Sequence, residues 1–115
     1  MRRDMGSAHD GLPVWWWQRL SAVALALLAI PQLGLAWQLL HAAAPALVLE
    51  YWMGQLGTAL ATWFFLLAAT VHGYIGVRIV VEDYVPSPVL RIPIQGALLL
   101  FSAGFFLFGC FLLIG

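Results

Sequence analysis

His72 is the ionisable side chain most able to do chemistry, because it lies deep within residues 51–77, a run without any charge. Ionisable groups inside a membrane are costly and usually functional. A neutral imidazole there could ligate haem iron, relay protons, or only hydrogen-bond to a neighbouring helix. A six-coordinate bis-histidine haem needs two such ligands. Since this chain offers one deep histidine, a haem would need its second ligand from another subunit.

The residues that follow His72 extend one helical face. Asp83 comes eleven residues later, about three turns on the same side of a helix. Gly76 and Ile79 complete this stripe. Gly73 and Gly76 also remove side chains where a flat macrocycle could approach the backbone, although membrane-helix glycines commonly only allow helices to pack closely.

Asp83 and Tyr84 stand at the end of the same predicted helix. A phenol beside a carboxylate suits a quinone site, since the phenol donates to a carbonyl oxygen and the acid can relay protons. The alternative is a helix-end acid and an aromatic anchor. Arg19 follows three tryptophans at the start of the first helix. It either extends its charge to the membrane interface or pairs with an anionic group such as a haem propionate.

The elements that position these residues are predicted to be membrane helices. The chain has 115 residues, 63% hydrophobic and 9% charged, whereas soluble domains carry about 25% charged residues. Each of three long uncharged runs exceeds the roughly 20 residues that cross a bilayer. We therefore expect one all-α membrane domain, 1–115, with helices at about 15–41, 50–82 and 90–115. Pro31 is expected to kink the first helix, and the prolines at 86, 88 and 93 to mark the second turn.

The arginines predict how the helices are oriented. Arg2, Arg3 and Arg19 precede the first helix, Arg78 and Arg91 flank the second connection, and residues 40–50 contain no arginine or lysine. The positive-inside rule then places the N-terminus on the cytoplasmic side and the C-terminus on the opposite side. Zero formal net charge gives no basic surface for nucleic acid.

Two motifs resemble a known family. The stretch from His72 through Gly76 to Asp83-Tyr84 resembles the second-helix motif of the small membrane-anchor subunit (the D chain) of succinate dehydrogenase, respiratory complex II. The N-terminal pattern of many bacterial members is similar to Gly6-Ser7-Ala8, then Gly11, then Trp15-Trp16-Trp17-Gln18-Arg19-Leu20-Ser21-Ala22. The family often has a histidine just before the tryptophans, where this chain has Pro13-Val14, and His9 could substitute for it.

The resemblance implies an anchor that is not catalytic alone, in a bacterial inner membrane. Its three helices would bundle with a second anchor, the cytochrome b subunit. An iron–sulfur subunit and a flavoprotein, which carry the clusters and FAD, would dock on the cytoplasmic side. His72 would be an axial ligand of haem b iron, Arg19 would lie near the propionates, and Tyr84 with Asp83 would line the ubiquinone pocket.

Three alternatives stay open. A fumarate reductase anchor would run the reverse reaction with menaquinone. A small proton or ion transporter would use His72 and Asp83 as a relay. A structural assembly factor would use His72 and the glycines only for packing. The role of Arg78, within the second helix, is left open. Cys110 is expected to be a small buried hydrophobe.

Overall fold

Four helices account for nearly all of residues 11–114, the part of the chain that the computed structural model describes. The helices are α1 (Gly11–His41), α2 (Pro45–Met53), α3 (Leu56–Tyr84) and α4 (Pro88–Ile114). Within this range there are no strands. Three helices are long and apolar enough to cross a membrane, at Pro13–His41, Leu56–Tyr84 and Pro88–Ile114. The prediction of an all-α protein with three membrane-spanning helices is confirmed.

The first connection contains more structure than expected. Residues 45–53, expected to be mostly loop, form α2, which begins with Pro45 at a position where the missing backbone N–H is not needed. The helix expected over 50–82 is interrupted at Gly54 and Gln55, and Gln55 has extended backbone angles of φ −103° and ψ 134°. As a result α3 starts at Leu56 and runs to Tyr84.

The prolines lie in different settings. Pro31 is inside α1, which continues helical on both sides of it. Pro88 is the first residue of α4, where proline is well tolerated. Pro93, expected in the turn, lies inside α4 instead. The turn that joins α3 to α4 therefore consists only of residues 85–87.

Helices α1 and α3 pack antiparallel in one constant register. Near one end, a Cβ on Gly76 would lie 3.6 Å from the Gln18 amide nitrogen. Further along, Gln32 donates to the Thr62 hydroxyl at 3.2 Å. Fourteen residues forward on α1 thus correspond to fourteen residues back on α3. Helix α3 also packs against α4, where a Cβ on Gly109 would lie only 2.9 Å from Leu66.

The buried residues are few and mostly small. Within the described part of the chain, the buried hydrophobic side chains are Leu35, Ala68 and Val81, and the buried polar ones are Ser21, Thr62 and Ser102. Lipid tails are as apolar as leucine, so helices in a membrane associate through close packing of small residues and hydrogen bonds. The buried serines and threonine fit this mode of association.

Candidate functional site

His72 lies in the interior of α3 and is half-buried against α1. Its Nδ1 atom is 3.2 Å from the Ser21 hydroxyl oxygen. Ser21 is only 5% exposed. The same hydroxyl donates to the backbone carbonyl of Gln18, one turn earlier on α1, at 3.1 Å. The histidine is therefore held by a side chain whose own orientation is fixed by its helix.

The two contacts of Ser21, at 3.1 and 3.2 Å, favour one tautomer of His72. A serine hydroxyl has a single hydrogen, and Ser21 uses it on the Gln18 carbonyl. Its oxygen is then the acceptor, and Nδ1–H of His72 is the donor. The lone pair of a neutral imidazole is consequently on Nε2. Within residues 11–114 Nε2 has no hydrogen-bond partner.

The glycines beside His72 differ in their surroundings. A Cβ added to Gly73 would meet nothing within 4 Å, so the space next to the histidine is open on that side. Gly76 faces the side chain of Gln18. The side-chain amide oxygen of Gln18, Oε1, is buried and has no hydrogen-bond partner in the described part of the chain.

These features fit an axial haem ligand. One imidazole nitrogen is held by a protein hydrogen bond, as is usual for metal-binding histidines, and the other has a lone pair to offer. The open space beside Gly73 leaves room for a flat group near the α3 backbone. No cluster of three or more metal-binding side chains exists among residues 11–114.

An apolar groove of about 540 Å³ runs between α1 and α3 next to this hydrogen bond. Ser21 and Val71 form part of its wall, so the groove reaches one partner of the Ser21–His72 contact and the sequence neighbour of the other. Its other walls are apolar, including Trp17, Phe64 and Ala68. The groove beside the contact is therefore apolar.

Arg19 lies near this level of α1 but makes a different contact. Its guanidinium carbon is 5.3 Å from the centre of the Trp15 ring, a cation–π arrangement. Arg19 is exposed, and within residues 11–114 no hydrogen bond joins it to His72, Asp83 or Tyr84. The structure thus places Arg19 on the exposed surface of α1. It lies at about the same height along the helix as His72 but does not contact it.

Asp83 and Tyr84 are the last two residues of α3, and both are exposed. Eleven residues of helix separate Asp83 from His72, which is about 16 Å along the axis. The structure keeps the three residues on one helix but does not bring the pair into contact with the histidine. They form two separate centres, one within the span and one at its end.

Two arginines frame the end of α3. Arg78, whose role the sequence left open, forms an ion pair with Glu82 one turn later, Nε to Oε2 at 3.2 Å. Both side chains are nearly half exposed, and such pairs contribute little to stability. Arg91 reaches back from α4 and donates to the carbonyl oxygens of Val85 and Pro86, each at 3.4 Å. Arg91 therefore closes the turn that follows Tyr84.

Ser21 and Gln18 belong to the N-terminal motif, but the sequence predicted no role for either. Their signal was present, since two polar residues three apart occupy one face of an otherwise apolar helix. The Gly6-Ser7-Ala8 motif and His9 lie outside the described residues.

The sequence comparison decides the family. A family described as the succinate dehydrogenase/fumarate reductase transmembrane subunit matches residues 1–111. The chain belongs to this family. No curated protein matches the chain.

Membership makes the chain a multi-pass membrane-anchor subunit of a succinate dehydrogenase or fumarate reductase. The match covers both sequence motifs, from the N-terminal tryptophans to the end of α3, and most of α4. It does not distinguish the D chain from the other anchor chain.

Proposed function

We propose that the chain is the D-type anchor of a succinate:ubiquinone oxidoreductase and shares a haem b with the cytochrome b anchor. His72 would supply one axial ligand through Nε2, and the partner anchor the other. The observation that carries this assignment is the Ser21–His72 hydrogen bond at 3.2 Å, which leaves Nε2 as the nitrogen with a free lone pair. When bound, the haem would accept and return single electrons.

The residues at the end of α3 would form part of the ubiquinone site. Tyr84 is 79% exposed, so its phenol is free to donate a hydrogen bond to a quinone carbonyl oxygen. Asp83, beside it and also exposed, would pass protons from water to the bound quinone. Reduction to the quinol takes two electrons and two protons, and the electrons would come from succinate oxidation in the partner subunits.

The assembly implied by the family agrees with succinate oxidation in the partner subunits and quinone reduction at the end of α3. An iron–sulfur subunit and a flavoprotein would dock at the end of the bundle that carries Tyr84, on the cytoplasmic face of a bacterial inner membrane. Arg19, exposed near the same end of α1, would face the haem propionates. The flavin and the clusters would lie in the partner subunits, so this subunit would act within the complex.

The His72 assignment is tested by replacing the histidine in the assembled complex. In His72→Ala we expect the reduced-minus-oxidised haem spectrum to be lost or strongly altered. His41→Ala is the matched control, because His41 lies at the far end of α1 and its Nδ1 contacts only its own helix, at the Trp37 carbonyl. An unchanged spectrum in His72→Ala, with normal haem content, would overturn the ligand assignment.

Two alternatives are a fumarate reductase anchor, which activity measurements can distinguish, and a proton relay, which the geometry disfavours. The family includes fumarate reductases, and the ratio of fumarate reduction to succinate oxidation by the purified complex separates the two directions. A proton relay from His72 to Asp83 is disfavoured by geometry, because about 16 Å of helix separates them and the groove beside the histidine is apolar.

A further inference from the structure

We infer that Ser21 is a positioning residue that sets the orientation and the donor strength of His72 toward the haem iron. This inference rests on the proposed function, since it concerns the same ligand. Its basis is the contact between the Ser21 hydroxyl oxygen and Nδ1 of His72 at 3.2 Å. No other hydrogen bond to the ring exists within residues 11–114.

Ser21 is well placed to act as an acceptor. Serines in helices commonly donate to a carbonyl three or four residues earlier, and Ser21 does so to Gln18 at 3.1 Å. Such a bond fixes the hydroxyl rotor and points a lone pair away from the helix. At 5% exposure, this oxygen has almost no access to water or to a competing donor, so Nδ1–H of His72 is its partner.

The contact restrains the ring as well as polarising it. His72 is on α3 and Ser21 on α1, and the two helices keep one register from Gln18–Gly76 to Gln32–Thr62. The acceptor therefore cannot drift relative to the histidine backbone. With Nδ1 tied to α1, rotation of the imidazole about its side-chain bonds is restricted, and the plane in which Nε2 presents its lone pair is fixed.

The electronic consequence has a defined sign. Accepting a hydrogen bond from Nδ1–H raises the electron density at Nε2 and strengthens it as a ligand. A stronger electron donor stabilises ferric more than ferrous iron and so lowers the reduction potential of the haem. A neutral hydroxyl accepts more weakly than a carboxylate, so the effect is expected to be smaller than that of a histidine–carboxylate pair.

A purely structural bond between α1 and α3 makes a different prediction. Losing it would weaken helix packing but would leave the haem potential and the ligand orientation unchanged. Reduction potential and low-spin electron paramagnetic resonance g-values report on the iron and its ligand field, so they separate the two cases. Quinone reductase activity alone would not.

The experiment compares Ser21→Ala and Ser21→Thr in the complete purified complex. Ser21→Ala removes the acceptor, whereas Ser21→Thr keeps a hydroxyl that can make both hydrogen bonds. Ser102→Ala is the matched control, because Ser102 is also a buried serine in a membrane helix but lies on α4. Each complex is measured for haem potential, g-values and the rate of haem transfer to excess apomyoglobin.

We expect Ser21→Ala to raise the haem potential, to shift the g-values and to speed haem transfer about tenfold. Losing the hydrogen-bond partner of a metal-binding side chain typically weakens metal binding by at least this factor. Ser21→Thr and Ser102→Ala should resemble the wild type. If Ser21→Ala does not assemble, Ser21→Cys, with a weak sulfur acceptor of similar shape, should show the same changes to a smaller extent.

Unchanged potential, g-values and haem transfer in the assembled Ser21→Ala or Ser21→Cys complex would overturn the inference. That result, together with haem loss in His72→Ala, would leave the proposed function intact and make the Ser21 contact structural. A wild-type complex without haem, or His72→Ala with a normal haem spectrum, would instead overturn the proposed function itself.

Discussion

The exposed phenol of Tyr84, at the end of α3, is predicted to take part in quinone reduction. Tyr84→Phe removes only the hydroxyl of a side chain that is 79% exposed. Losing one hydrogen bond to a quinone, about 1–1.5 kcal/mol, should lower quinone reductase turnover about tenfold. Succinate oxidation with an artificial dye acceptor should stay near the wild-type rate, because the dye bypasses the anchor.

The matched control for this prediction is Tyr51→Phe. Tyr51 is similarly exposed, at 72%, but lies on α2 at the opposite end of the membrane helices. It should leave both rates unchanged. A Tyr84→Phe complex that loses dye-coupled and quinone-coupled activity equally would indicate faulty assembly rather than a quinone site.

At the same scale, the residues differ in how far the sequence could identify them. His72 could be recognised because a titratable side chain in a long uncharged run is costly and needs a reason. Ser21 belongs to the N-terminal motif, but its contact with His72 could not be predicted. A helical serine usually bonds its own backbone, and only the register between α1 and α3 shows which ring it faces. The spacing from His72 predicted that Asp83 and Tyr84 lie at the end of the same helix. Their exposure could not be predicted, because it depends on where α3 ends.

At the scale of elements, a polar cluster joins three helices near the end of the bundle away from Tyr84. The Thr62 hydroxyl donates to the Thr58 carbonyl at 2.9 Å. Its oxygen accepts from Gln32 of α1 at 3.2 Å and from the indole nitrogen of Trp52 of α2 at 2.7 Å. One hydroxyl therefore connects α1 and α2 to α3.

Thr62→Val should break all of these contacts while keeping the side-chain shape. Thr62 is only 6% exposed, so the two donors would lose a buried acceptor at a cost of about 1–3 kcal/mol. We expect the detergent-solubilised complex to denature at a temperature several degrees lower, measured by thermal precipitation of the anchor. Haem potential should not change, since the cluster lies about ten residues of helix from His72, roughly 15 Å.

The control is Thr70→Val, also on α3, whose hydroxyl contacts only the Leu66 carbonyl of its own helix. Its denaturation temperature should stay close to that of the wild type. An equal decrease in both variants would show that the connections to α1 and α2 contribute nothing beyond the local bond.

The helix boundaries show where sequence reasoning reached its limit. Long uncharged runs identified all three membrane helices, because crossing hydrocarbon demands length and low polarity. The break at Gly54–Gln55 was missed because neither residue carries a charge, and apolar residues continue on both sides. Pro45 carries a signal for a helix start, which the prediction of helices ending at 41 and starting at 50 does not include.

At the scale of the whole molecule, most apolar surface remains uncovered by the chain itself. In α4, the buried residue is a single serine, Ser102, and no large side chain is fully buried anywhere in the described part of the chain. Lipid can cover such a surface, but the proposed second haem ligand requires that a partner anchor covers some of it. The exposed side of Gly73 and the groove between α1 and α3 are the parts nearest to His72.

The orientation of this bundle decides whether the proposed electron path is possible. Tyr84 and the turn at 85–87 must face the side on which the iron–sulfur subunit docks. Arg78 is paired with Glu82 and Arg91 with backbone carbonyls, but acidic residues contribute little to the positive-inside rule. Both arginines should therefore hold this end in the cytoplasm, together with the arginines of the N-terminal region.

Reporter fusions test that orientation. Alkaline phosphatase, which is active only after export, should be active when fused after Ile114 and inactive when inserted at residues 85–87. A green fluorescent protein fused after Ile114 should not fluoresce for the same reason. The reverse pattern would place Tyr84 and Asp83 on the outer side, away from cytoplasmic partners, and quinone reduction at the end of α3 could then not draw its electrons from them.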